Sequence, residues 1–99
     1  MNINSKQRAY LRKEAHHLDS ILHIGKNGVT PEITEAINEA LEKRELIKVN
    51  VLKNCFDDPK DLAEVIGERT RSLVVQVMGR RITLYRESQD NKTIELPRK

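Results

Sequence analysis

The 99-residue sequence contains one cysteine, three aromatic residues and no tryptophan. A lone Cys55 cannot close an internal disulfide, which excludes a cysteine-stapled scaffold and fits a reducing compartment. With Tyr10, Phe56 and Tyr85 as the only rings, the core has to be built from aliphatic side chains. No apolar run approaches the ~20 residues that cross a bilayer, and the start, Met1 to Lys6, lacks the apolar stretch of a signal peptide. No internal repeat or low-complexity tract is present. Neither CxxC nor HxxxH spacing occurs, and His16 and His17, adjacent on a helix, would point about 100° apart, so no metal site and no cofactor are expected. These absences leave one small soluble domain with a single modest core, expected in the cytoplasm.

What the chain does have is charge, unevenly placed. From Met1 to Thr30 five bases stand against two acids, and from Pro31 to Glu68 ten acids stand against five bases. From Arg69 to Arg86 there are five arginines and no acid, and the tail from Glu87 to Lys99 carries three of each sign. The net charge of +3 says little by itself. Two basic segments around an acidic middle form a positive face if the fold brings them together, which suits RNA or DNA on one side and water on the other.

Apolar spacing predicts the order α-β-α-β-α-β-β. Ser5 is placed to cap a first helix over 6–18, with Leu11, Ala15 and Leu18 inward and Lys6, Arg8, Arg12 and Lys13 on its wet side. Ile21 to Ile24 reads as a short buried strand in which His23 packs as a neutral imidazole. A second helix over 31–43 buries Ile33, Ala36, Ile37, Ala40 and Leu41 and turns Glu32, Glu35, Glu39 and Glu42 elsewhere. Ile47, Val49 and Val51 alternate with Lys48, Asn50 and Leu52 as a half-buried strand. After a loop over 54–58, Asp58 and Pro59 start a third helix that buries Leu62, Ala63 and Ile66. Strands over 72–78 and 82–85 meet at a tight turn, Gly79-Arg80. Beyond Arg86 the chain turns polar and is expected to be loose, with Ile94 and Leu96 able to dock. The expected division is a domain over 1–86 and a tail over 87–99. Two strand–helix–strand crossovers and a closing hairpin imply a single α/β domain with a mixed four-stranded sheet.

The stretch from Ile21 to Pro31 concentrates the chemistry. An apolar strand enters Gly25-Lys26-Asn27-Gly28, and that loop opens onto the second helix, with Thr30 as N-cap and Pro31 in its first turn. Two glycines let a bulky partner approach the main chain, and the helix start supplies free N–H groups and the positive end of its dipole. Lys26 adds a full charge. A cationic, side-chain-poor loop of this kind suits a phosphodiester.

Ser5-Lys6-Gln7-Arg8, Ala15-His16-His17-Leu18, Ile24-Gly25-Lys26-Asn27-Gly28 and Glu45-Leu46-Ile47-Lys48-Val49 stand in order along the chain. Val75-Gln76-Val77-Met78-Gly79-Arg80, Leu84-Tyr85-Arg86 and the ending Leu96-Pro97-Arg98-Lys99 follow. With these pieces the chain resembles the CRM domain (chloroplast RNA splicing and ribosome maturation) in its free-standing bacterial YhbY-type form. The resemblance implies a fold similar to the C-terminal domain of translation initiation factor three, with a KH-like GxxG loop. It implies RNA binding through Gly25, Lys26, Asn27 and Gly28, and for stand-alone bacterial members an association with precursors of the large (50S) ribosomal subunit.

The expected function is therefore non-catalytic binding of ribosomal RNA during large-subunit assembly, by a monomer with no membrane and no small-molecule substrate as partner. GxxG recognition clamps backbone nucleotides, and phosphate contacts make binding salt-dependent. Arg80 and Arg81 beside the hairpin, and Lys6, Arg8 and Arg12 on the first helix, are the further candidate RNA contacts; as an ordinary turn and a solvated helix face they need no partner at all. Tyr85 is the best-placed ring for stacking, against a packing role in the core. An alternative is a protein-interaction adaptor whose acidic second helix docks a basic ribosomal protein. An enzyme would need an activated nucleophile or an acid–base pair, and the sequence has no sign of either.

Overall fold

Capping residues set the helix starts, and in one case the cap is a residue earlier than expected. The structure, a computed structural model, describes residues 2–98; Met1 and Lys99, the outer ends of the two expected segments, lie outside the described residues. Helix α1 spans Ser5–Ala15, and its N-cap is Asn4, not Ser5. The Asn4 side chain accepts the Gln7 N–H at 2.8 Å while the Gln7 side chain accepts the Asn4 N–H at 3.1 Å, so two otherwise orphaned donors are satisfied reciprocally. The helix stops at Ala15 and the chain turns through His16 and His17, which leaves Leu18 39% exposed instead of inward. Helices α2 (Pro31–Arg44) and α3 (Pro59–Thr70) begin as expected, with Thr30 and Asp58 as caps and proline in the first turn.

Strands β1 (Ser20–Ile24), β2 (Leu46–Val51), β3 (Leu73–Met78) and β4 (Arg81–Tyr85) form one mixed sheet in the order β1-β2-β4-β3. β1 runs parallel to β2, and β4 pairs antiparallel with both β2 and β3. The crossover through α3 thus leaves a gap one strand wide, which β4 fills by returning from the hairpin.

Alternation along the strands decides the two faces. Ile24, Ile47, Val49, Val51, Ile82 and Leu84 pack with Ile37 and Leu41 of α2 and Leu62, Ala63 and Ile66 of α3. On the other face Leu46, Val75 and Tyr85 pack against Leu11 and Ala15 of α1. As an edge strand β1 is covered on one side only, so His23 is exposed rather than packed as a buried imidazole. Tyr85 is 1% exposed, inside the α1 layer, and is closed to stacking.

The polar tail is not loose. Glu45 is fully buried at the turn from α2 into β2, with φ of 65°, a left-handed value that a non-glycine residue adopts at a cost of roughly 1–3 kcal/mol. Its carboxylate accepts the N–H groups of Ser88, Thr93 and Ile94 at 2.8, 2.6 and 2.8 Å. Glu42 accepts the Ser88 hydroxyl and the Gln89 and Asp90 N–H groups, and Gln7 donates to the Pro97 carbonyl at 2.8 Å. Ile94 and Leu96 then dock on the α1 layer. Glu42, expected on the polar side of the second helix, and Glu45 thus act as the anchors of a segment without strands or helices.

Burial pushes the Glu45 carboxyl up, but the Ser88, Thr93 and Ile94 N–H groups and the Thr93 hydroxyl outweigh it and hold the group below the usual carboxylate range. Because the folded value is the lower one, this contribution to stability is complete above the unfolded value and is lost as pH falls through the folded one. Stability measured by urea unfolding should therefore decline on acidification below about pH 4.5. Glu45→Gln should lower it by about 1–3 kcal/mol at neutral pH, flatten that acid limb, and speed amide exchange at Ser88, Thr93 and Ile94.

Candidate functional site

Three connections meet at the end of the sheet where β1 and β2 finish. The Gly25-to-Gly28 segment is a tight turn closed by the Gly28 N–H on the Gly25 carbonyl at 3.0 Å. Gly28 has φ of +67°, which only glycine adopts freely, and it is buried, while Lys26 and Asn27 at the tip are exposed. Directly after it, Thr30 accepts the Ile33 N–H at 3.1 Å and Pro31 opens α2, so the N-terminal pole of that helix lies next to the turn. Arg69 reaches across from α3 to donate to the Val29 carbonyl at 3.2 Å, which brings a second cation to the junction.

The second connection, over 52–58, leans on this turn. An added Cβ at Gly25 would come within 3.7 Å of Asn54 Oδ1, and one at Gly28 within 3.3 Å of Asp57 Oδ2. The third is the hairpin. Arg80 was a candidate phosphate grip, but its guanidinium is largely committed: Nε donates to the Val51 carbonyl, and Nη2 to the carbonyls of Leu52 and Cys55, at 2.8, 2.6 and 2.8 Å. Its evident work is to brace the 52–55 segment. The physical reason is the strand order, which sets the β3–β4 turn against the end of β2.

Arg81 belongs to a different surface. Cross-strand pairing places His23, Asn50, Arg81 and Met78 in one row across all four strands, and Ser20, Lys48, Thr83 and Gln76 in the next. These rows share the face that carries Leu46 and Tyr85, but α1 covers only the lower part, over Leu46, Tyr85 and Val75. The uncovered part holds two clefts that share Lys48 and Arg81, with Arg12 of α1 and His16 just beyond it along one of them and Asp19 as the acid in the other. The two basic segments of the sequence meet here, as expected of a positive face. Lys48 and His23, read as strand positions only, could have been found solely from strand pairing.

The first-helix candidates divide. Arg12 and Lys6 are exposed, whereas Arg8 is half-buried and donates Nη1 to the carbonyls of Val74 and Val75, both at 2.8 Å. Arg8 ties α1 to a bulge in β3, where the register shifts between Val74 and Gln76. Among the described residues the one ion pair is Lys92–Glu87 in the tail, so Lys26, Arg12, Lys48 and Arg81 carry charge that no carboxylate neutralises at contact distance. On the opposite face, Glu32, Glu35 and Glu39 of α2 are exposed, while Glu42 is engaged by the tail. Cys55 is 2% exposed, closed to substrates.

If Arg80 is a brace, Arg80→Ala should remove the guanidinium donor from the Val51 and Cys55 carbonyls and leave the Leu52 carbonyl with the Cys55 N–H alone. Its expected cost is about 1–3 kcal/mol in urea unfolding, with faster amide exchange confined to the 52–58 segment and the neighbouring glycine turn.

Residues 3–86 match the family model for the CRS1 / YhbY (CRM) domain. The chain is 50% identical over 95 residues to the probable RNA-binding protein YqeI of Bacillus subtilis, covering 96% of this chain and 99% of that one. It is 36% identical over 97 residues to an RNA-binding protein of Haemophilus influenzae, covering 98% and 97% of the two. The solution structure of a hypothetical protein from Staphylococcus aureus superposes with a TM-score of 0.81 at 53% identity, covering 97% of this chain and all of that one.

Proposed function

The chain belongs to the CRS1 / YhbY (CRM) domain family, and we propose that it is a non-catalytic RNA-binding protein that acts on ribosomal RNA in precursors of the large subunit. The observation that carries this reading is the glycine turn itself. An exposed Lys26–Asn27 tip held in a tight turn by Gly25 and Gly28, an adjacent helix N-terminus and an unpaired Lys26 offer a ribose–phosphate backbone shape and charge together.

The open sheet face extends that surface. His23, the residue before the last of β1, heads the row that ends in Arg81 and Met78, so a strand leaving the turn has Lys48, Arg81 and Arg12 within the same basic surface. Contacts of this kind position a backbone and read little sequence. That suits recognition of a folded ribosomal RNA by its shape. A non-catalytic role is supported by the burial of the single thiol, which leaves it closed to substrates.

Binding of a structured ribosomal RNA fragment, followed by fluorescence anisotropy, should weaken steeply between 50 and 200 mM salt. Lys26→Glu should lower affinity by roughly tenfold at fixed salt, since it both removes a cation and places an anion at the turn; unchanged affinity in that variant would sink the loop's role. Arg81→Glu should weaken binding and reduce the salt slope by about one contact. Crosslinking in cells should recover ribosomal RNA of large-subunit precursors, and enrichment of other RNA classes instead would overturn the choice of target.

A further inference from the structure

Phe56 is 95% exposed, the most accessible of the large apolar side chains, and the chain's one phenylalanine beside two tyrosines. The ring is not on a slack loop. On one side Cys55 is buried in the core, closes a turn by donating its N–H to the Leu52 carbonyl at 3.0 Å, and has its own carbonyl bound by Arg80. On the other, Asp58 caps α3 by accepting the Lys60 N–H at 2.9 Å. The backbone is thus pinned on both sides of a side chain that gains nothing from the core.

Its neighbours say where it stands. Asn54 lies against Gly25 and Asp57 against Gly28, so the residues flanking Phe56 pack on both glycines of the turn. The carboxylates of Asp57 and Asp58 disfavour a phosphate on this side. A flat, uncharged nucleobase meets no such penalty, and a phenyl ring offers it a stacking surface.

We propose that Phe56 is a stacking platform for a base of single-stranded RNA whose sugar–phosphate backbone rests at the exposed Lys26–Asn27 tip of the glycine turn. The proposal depends on the RNA reading of that turn. It adds a division of labour: the glycine turn and its cations hold the backbone, and one ring on the neighbouring loop captures a base that has left its helix. Stacking of this type tolerates any base, so the site selects unpaired nucleotides rather than a sequence.

The test uses the full chain and a single-stranded RNA of about twelve nucleotides of mixed sequence. Phe56→Ala should lose roughly tenfold or more in affinity, with the slope of affinity against salt unchanged because no charge is removed, while Phe56→Tyr retains binding. The chain has no tryptophan, so Phe56→Trp places a single indole at the site, and its emission should be quenched as RNA saturates. Affinity within twofold of wild type for Phe56→Ala, together with unmoved emission from Phe56→Trp, overturns the stacking role. If Lys26→Glu weakens the same RNA while Phe56→Ala does not, the turn still binds backbone and only the platform is lost; if neither variant weakens it, both readings fall. A change of self-association in Phe56→Ala with RNA affinity intact makes the ring a protein contact and likewise overturns the proposal.

Discussion

The position of β4 between β2 and β3 is the constraint on which the rest of the molecule depends. That strand is hydrogen-bonded on both sides along its length, and its five residues serve both layers at once, Ile82 and Leu84 towards α2 and α3, Tyr85 towards α1. Because it returns antiparallel, its entry lies at the finish of β2. The hairpin arginine is thereby placed against the carbonyls of Val51, Leu52 and Cys55. An outer position for β4 would leave that arginine without partners and the 52–58 loop without its brace.

Polar contacts brace the fold beside a small core, and near the glycine turn that brace is Arg80. A fold this small has little apolar area to spend, and several of its guanidinium and carboxylate groups are used as staples: Arg8 on β3, Arg80 on the neighbouring loop, Arg86 on Asn38 and Thr70, Glu42 and Glu45 on the tail. Each bonds main-chain groups of a segment distant in sequence. The strained backbone of Glu45 is sustained by the same contacts, which over-determine its position.

This use of charge separates the two sides of the molecule. Glu32, Glu35 and Glu39 of α2 face solvent on one side, while Lys26, Arg12, Lys48 and Arg81, none of them in an ion pair, stand at the turn, near the end of α1 and on the open half of the sheet. Clustered cations favour a polyanion and clustered carboxylates disfavour one. Around the glycine turn the chemistry is varied, from the exposed Lys26–Asn27 tip to the exposed phenyl ring of Phe56 on the neighbouring loop.

Local signals in the sequence were enough for the elements. Thr30-Pro31 and Asp58-Pro59 start helices because a short polar side chain and a fixed φ act within one turn, and the 2- and 3.6-residue periods identify what is buried. The glycine turn and the family likeness were legible for the same reason, since both are written in consecutive residues. Asn4 and Ser5 are equally good caps on paper, and only the reciprocal bond to Gln7 separates them.

Tertiary structure decided everything that joins residues far apart. Strand order turned Arg80 from a candidate contact into a brace, buried Tyr85, exposed His23, and brought Lys48 beside Arg81 and Arg12. It also gave a polar tail a buried carboxylate to fold around. Pairing between strands is a property of which partner is nearest after the chain has closed, and no residue carries that information by itself. The sequence could therefore name the cations, but only the sheet could choose which of them remain free.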